Sequence, residues 1–130
     1  PSAAAELSGP HTIALPWPTE DSTDWSDVWA RADVVVQATS ATLGPTGSGE
    51  AIADLVPWQR LPANALAYDV CYVPVVTPFL AAAKEHGVRN EGGLEMLVLQ
   101  AANAFEVWLG MRPPMDVMRR AAESALGGEG

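Results

Sequence analysis

Ala32-Asp33-Val34-Val35-Val36-Gln37-Ala38-Thr39-Ser40 decides the fold class. Three consecutive valines running into small residues read as a fully buried strand, the pattern of a parallel sheet covered by helices on both faces. Residues 41–50 hold three Gly and a Pro, so they read as a loop at that strand's C-terminal end. Ala65-Leu66-Ala67-Tyr68-Asp69-Val70-Cys71-Tyr72 repeats the pattern as a second buried strand. Between the two, Leu55 to Leu61 reads as a short helical or irregular segment. Thr77 then caps a helix with Pro78 at its first position, where the missing N–H costs nothing. That helix runs to Gly87, a C′ glycine. Val88 to Gly92 reads as a short strand or extended piece. Leu94, Leu97, Val98, Ala101, Phe105 and Trp108 recur at helical spacing and predict the longest helix, Leu94–Leu109, stopped by Gly110. Pro113 and Pro114 break the chain before a last helix from about Pro114 to Leu126. Upstream, Thr12 to Pro16 reads as a strand closed by a proline, and 17–23 as a loop. Asp24 reads as the N-cap of a short helix carrying Trp25, Val28 and Trp29. Strands alternating with helices predict an α/β fold with a parallel sheet and right-handed crossovers. Ligands on such sheets bind beyond the C-terminal strand ends, which here are Thr39–Gly49 and Tyr72–Thr77.

The composition fits a globular chain. Of 130 residues, 48% are apolar and only 18% charged, against a usual domain length of roughly 100–200 residues. Seven Lys and Arg against sixteen Asp and Glu leave a net charge of −9. That charge argues against nucleic acid or an anionic membrane held by bulk electrostatics, while a local anion site on backbone N–H groups stays open. A single cysteine, Cys71, excludes an intrachain disulfide and a cysteine-based metal cluster, and a reducing, cytoplasmic setting is the expectation. No apolar run approaches the roughly 20 residues of a membrane helix, and no signal peptide opens the chain. The first residue is Pro1 rather than Met, which reads as a processed, trimmed or partial chain.

Taken singly, the polar residues near the strand ends leave two readings each. Thr39 and Ser40 suit a ligand-facing turn, or a turn that satisfies only itself. Tyr72 can offer a hydroxyl to a ligand, or pack as a core tyrosine. Asp69 lies in a buried run, where an acid must be hydrogen-bonded, and reads as a structural group holding the following loop. Gln100 shares a helix face with Met96, Asn103 and Val107, apart from the main apolar stripe; that face either lines a cleft or meets solvent. Cys71 reads as a small buried hydrophobe and His86 as a group at a helix C-terminus. His11 and His86 have no partner at metal-ligand spacing. Arg119-Arg120 reads as a solvated face, and the tryptophans mostly as packing candidates.

Three motifs in fixed order carry more than any one of them: the 32–40 stretch, Tyr68-Asp69-Val70-Cys71-Tyr72-Val73-Pro74 with Thr77-Pro78-Phe79-Leu80, and Gly92-Gly93-Leu94-Glu95-Met96-Leu97-Val98-Leu99-Gln100-Ala101-Ala102 with Phe105 and Trp108. Together they resemble the C-terminal half of shikimate dehydrogenases, over about residues 30–126. The resemblance implies a partial Rossmann-like sheet. Residues 1–93 would be the second part of an NADP-binding domain, and 94–130 the C-terminal helices that pack on a missing N-terminal substrate domain. It implies NADP-dependent interconversion of 3-dehydroshikimate and shikimate. By position in the motifs, Ala38, Thr39, Ser40, Val70 and Gly93 would border the cofactor, and Tyr72 and Gln100 would contact shikimate. Gln37 stands where the family usually has Asn; the longer amide can still bond across the turn. The family's catalytic lysine and aspartate and its glycine-rich pyrophosphate turn belong to earlier parts of the family sequence, so no catalytic residue is assigned here, nor any metal ligand. The alternatives are a quinate/shikimate dehydrogenase and a non-catalytic nucleotide-binding or assembly module.

Overall fold

The computed structural model describes residues 12, 15, 25–42 and 49–127. In chain order they form α1 (Ser26–Ala30), β1 (Val34–Gln37), α2 (Glu50–Asp54), one 3-10 turn (Trp58–Arg60), β2 (Leu66–Asp69), α3 (Pro78–Glu85), β3 (Arg89–Gly92), α4 (Leu94–Leu109) and α5 (Met115–Gly127). Of the strand expected at Thr12–Pro16, only Thr12 and Leu15 are among them, and the 17–23 loop, Asp24 and His11 lie outside. The position that caps α1 is Trp25, whose side chain makes no capping bond.

The sheet has the order β1-β2-β3, and both pairings are parallel. Val34, Leu66 and Arg89 stand in one row and Gln37, Asp69 and Gly92 in another. Parallel neighbours require crossovers; α2 with the 3-10 turn makes the first and α3 the second. Alternate side chains point to one face, so Val35 and Ala67 meet the crossover elements. There Ala67 packs in a cluster with Val56, Trp58, Phe79, Leu80 and Ala83, with Val35, Trp29 and Ile52 against its edge. The Trp58 ring lies 5.2 Å from Phe79, tilted by 60°, and its indole N–H donates to the Ala53 carbonyl at 3.0 Å. Burying both the ring and its one donor satisfied makes Trp58 the largest anchor of this layer.

Three expectations need correction. β1 is buried on one face only: Val34 and Val36 are 52% and 54% exposed. The valine run reports apolarity, whereas burial depends on what covers each face, and among the described residues the crossover elements pack on the Val35 side. Second, β2 stops at Asp69 rather than continuing to Tyr72, because the Asp69 side chain itself takes up the next free backbone N–H, that of Cys71, at 2.9 Å. Third, the segment read as loop through residue 50 gives way to helix at Glu50.

The capping signals of α3 and α4 hold. The Thr77 hydroxyl accepts from the Leu80 N–H at 3.3 Å, with Pro78 opening the helix. Gly87 ends α3 with φ +73°, and Gly110 ends α4 with φ +69°, backbone conformations that only glycine adopts without strain. His86 closes α3 as expected, its ring N–H donating to the Ala82 carbonyl at 2.9 Å. The apolar stripe of α4 divides. Val98 and Ala102 are buried, whereas Phe105 is 38% and Trp108 78% exposed, so Trp108 packs little against the described residues.

Asp69 is fully buried, and its two oxygens have different tasks. Oδ1 accepts from Cys71 N–H and Oδ2 accepts from the Thr77 hydroxyl at 2.7 Å. Asp69→Ala should therefore destabilise the chain by about 3 kcal/mol in urea unfolding, since hydrogen bonds to a charged group are worth about 1.5–3 kcal/mol. Thr77→Ser, which keeps the hydroxyl, should cost less than half of that.

Candidate functional site

The three strands end level with one another, and the segments beyond them are joined by backbone bonds. Val70 N–H donates to the Gln37 carbonyl at 3.0 Å, and Gly93 N–H donates to the Cys71 carbonyl at 2.9 Å. The Thr42 hydroxyl lies 2.9 Å from the Cys71 sulfur, a buried contact that closes the turn after β1 onto the turn after β2. The ends of β1, β2 and β3 thus form one continuous edge, at the position where an open parallel sheet offers its ligand crevice.

Gln37 is 3% exposed and bonds across its own turn: its Oε1 accepts from Thr39 N–H, and its Nε2 donates to the Thr39 carbonyl at 3.5 Å. The Thr39 hydroxyl accepts from Ala41 N–H at 3.3 Å. This side chain therefore serves its turn, while Ala38 and Ser40 are exposed beside it. Small side chains here leave the backbone open to a flat or phosphorylated ligand. Past β2, Val70 is half-buried and Tyr72 is 40% exposed. The Val73–Pro74 peptide that follows is cis.

Gly93 is buried, and its glycine is required by proximity. A Cβ there would sit 2.1 Å from the Val70 carbonyl oxygen and 2.6 Å from its carbon, both backbone atoms that have no side-chain freedom to yield. The neighbouring Gly92 differs: its nearest contact would be the Leu80 side chain at 3.4 Å. Ala38, Thr39, Ser40, Val70, Tyr72 and Gly93 are thus gathered at the strand-end edge. Gln100 is not part of this bonded cluster. It lies seven residues along α4 from Gly93, about 10 Å at the helical rise, exposed on the same face as Met96, Asn103 and Val107.

The first turn of α4 carries a pair that the Arg119-Arg120 reading missed. Arg119 on α5 donates to both Glu95 oxygens, Nε at 2.8 Å and Nη2 at 2.6 Å. Only Arg120 fits the solvated-face reading, in an exposed i,i+4 pair with Asp116. No local spacing signals a contact between residues so far apart in sequence. The hydrogen bonds from Arg119 hold the Glu95 carboxyl below its ordinary value of 4.5, and Glu95 in turn raises the guanidinium. Among the described residues no group of three His, Cys, Asp or Glu could hold a metal ion, and no helix is long and apolar enough to cross a membrane. A cavity of about 290 Å³ lies along β1, lined mostly by apolar groups including Trp25, Trp29, Val34 and Val36, and it reaches Gln37 and Thr39 at the strand-end edge.

Residues 93–123 match the family model described as the shikimate 5'-dehydrogenase C-terminal domain. The chain is 39% identical over 119 residues to a shikimate dehydrogenase (NADP(+)) of Synechococcus sp. (strain JA-3-3Ab), covering 85% of this chain and 40% of that protein. Among solved structures it is similar to shikimate 5-dehydrogenase from Listeria monocytogenes in complex with shikimate and NAD (TM-score 0.65, 27% identity, 75% of this chain and 33% of that one). It is also similar to quinate dehydrogenase from Corynebacterium glutamicum in complex with NAD (TM-score 0.59, 31% identity, 77% and 34%). The chain spans about two-fifths or less of the length of these relatives.

Two outcomes follow from the geometry. Gly93→Ala should destabilise by about 1–3 kcal/mol, as overpacking against fixed backbone does, whereas Gly92→Ala should be nearly neutral in the same urea titration. The pH response of Glu95 has a definite sign. Its folded carboxyl titrates below its unfolded value, so the stability it contributes is complete above the ordinary carboxylate range and is lost as pH falls through the folded value. The difference in melting temperature between the wild type and Glu95→Gln should be small at pH 7, as for an exposed pair, and should shrink towards zero well below pH 4.5.

Proposed function

Since the chain belongs to the shikimate dehydrogenase family, matching its C-terminal domain, we propose that it is the C-terminal portion of an NADP-dependent enzyme that interconverts 3-dehydroshikimate and shikimate. In this reading residues 1–93 are the second part of the cofactor domain. Residues 94–130 are the helices that return to an N-terminal substrate domain. The observation that carries the reading is the contact of Gly93 with Val70. Two residues assigned to the cofactor from separate motifs lie against one another, at a spot where a side chain would displace backbone.

The residues present fit a nicotinamide. The edge exposes Ala38 and Ser40 beside the half-buried Val70, against which the buried Gly93 packs without a Cβ, so a flat ring can approach main chain. The bound cofactor supplies hydride chemistry at its nicotinamide C4, exchanged with the substrate's carbonyl carbon. The chain's own residues orient. Ala38, Thr39 and Ser40 border the cofactor from the turn after β1, and Val70 and Gly93 present backbone to it from just beyond β2 and β3. Tyr72 offers its hydroxyl to the substrate acid and Gln100 its amide to a substrate hydroxyl. Holding the reacting groups in register is where these residues lower the barrier. The lysine and aspartate that move the proton belong, by resemblance, to the N-terminal domain. A quinate/shikimate dehydrogenase is the second reading, favoured by Gln37 in place of the usual Asn and by the similarity to a quinate dehydrogenase.

NADPH oxidation by the full-length protein with 3-dehydroshikimate tests the proposal, with quinate oxidation run in parallel. Turnover of 3-dehydroshikimate without quinate activity supports the first reading, turnover of both the second, and turnover of neither overturns both. Within an active enzyme, Gln100→Ala should raise the KM for shikimate about 3–10-fold with cofactor affinity retained, as for the loss of one ordinary hydrogen bond. Tyr72→Phe should lower kcat/KM by a similar factor.

A further inference from the structure

We propose that Glu95 and Arg119 form a positioning clamp, through which α5 holds the Gly93 turn against Val70–Cys71. The inference rests on the reading above for its functional consequence, and on geometry for the clamp itself. Gly93 stands at the junction of sheet and helix: its N–H donates to the Cys71 carbonyl, and its carbonyl accepts from Leu97 N–H at 2.9 Å as the first rung of α4. It also occupies the N-cap position, so no side chain caps this helix. The turn has no clearance towards Val70, and against movement the other way Gly93 itself offers its N–H bond to the Cys71 carbonyl.

Glu95 adds a second restraint. It lies two residues beyond Gly93, in the first turn of α4, where the helix dipole also favours an acid. Both of its oxygens are taken by a side-on guanidinium, and a two-pronged bond fixes rotation as well as distance, which a lysine would not. The donor stands on α5, a helix with no fully buried residue, whose other ion pair, Arg120–Asp116, is internal to it. The clamp therefore couples α5 to the helix turn that begins at Gly93. The two side chains are 42% and 41% exposed, and a pair so open to water contributes little to global stability. Its effect falls on the position of one turn.

Hydrogen exchange and kinetics on the full-length protein test this together. In Glu95→Gln and in Arg119→Gln, exchange at the Gly93 amide should rise on the order of 3–5-fold, while the Leu66 amide, which donates to the Asp33 carbonyl across β1–β2, should not change. The double variant should be no faster than either single one, and Arg119→Lys should recover only part of the protection. The KM for NADPH should rise by about the same factor with kcat kept. Added salt should raise the wild-type KM towards that of Glu95→Gln, so that salt narrows the gap between them. Unchanged Gly93 exchange, an equal rise at Leu66, or additive effects in the double variant would each overturn the clamp. If Gly93 responds as stated but the wild type turns over no substrate with NADPH, the clamp stands and the functional reading falls.

Discussion

One buried carboxylate sets the geometry on which the rest depends. Asp69 ends the central strand, and its oxygens reach forward to Cys71 N–H and to the Thr77 hydroxyl. Thr77 passes the constraint on by accepting from Leu80 N–H, so strand, loop and helix α3 meet at a single side chain. Removing an acid from water is costly unless its lone pairs are satisfied, and here the nearby N-terminus of α3 adds a favourable dipole. The loop that bears Val70 and Tyr72 is thereby tied at both ends while its middle stays at the surface.

The second constraint is contact without clearance. Cys71 is shared: its N–H goes to Asp69, its carbonyl accepts from Gly93, and its sulfur touches Thr42. A residue that reads as a small buried hydrophobe is thus also the meeting point of the segments that follow all three strands. The edge this creates consists largely of backbone and small side chains. Such an edge suits a flat ligand whose chemistry is its own, and asks of the protein mainly orientation.

Sequence reasoning reached furthest where structure is local. The Thr77-Pro78 start, the Gly87 and Gly110 stops and the span of α4 are all written within a turn or two of the residues concerned, and the structure keeps them. Asp69 as a loop holder was also legible, because a buried acid needs partners. Its partner Thr77, eight residues away, was readable only as a cap. Exposure of Val34 and Val36 was not legible, since a valine looks the same on a covered face and an open one. Nor was the bond between Glu95 and Arg119, which depends on the route of the chain between two helices. Of the site, the separation of Gln100 from Gly93 was readable as about two turns of the expected helix, whereas the contact of Gly93 with the Val70 carbonyl was not, since it joins two segments far apart in the chain.

The parallel arrangement of the three strands also bears on how the chain reaches this state. Val34 and its partner Leu66 are 32 residues apart, and Leu66 and Arg89 are 23 apart. Neither pairing can start from a hairpin, so each must wait until a crossover has been gathered in, at the entropic cost of closing a long loop. Helices of local origin such as α4 can form early, while the sheet assembles late around β2. Until β2 arrives the valine-rich β1 segment lacks its partner, which leaves its apolar run open to misassociation.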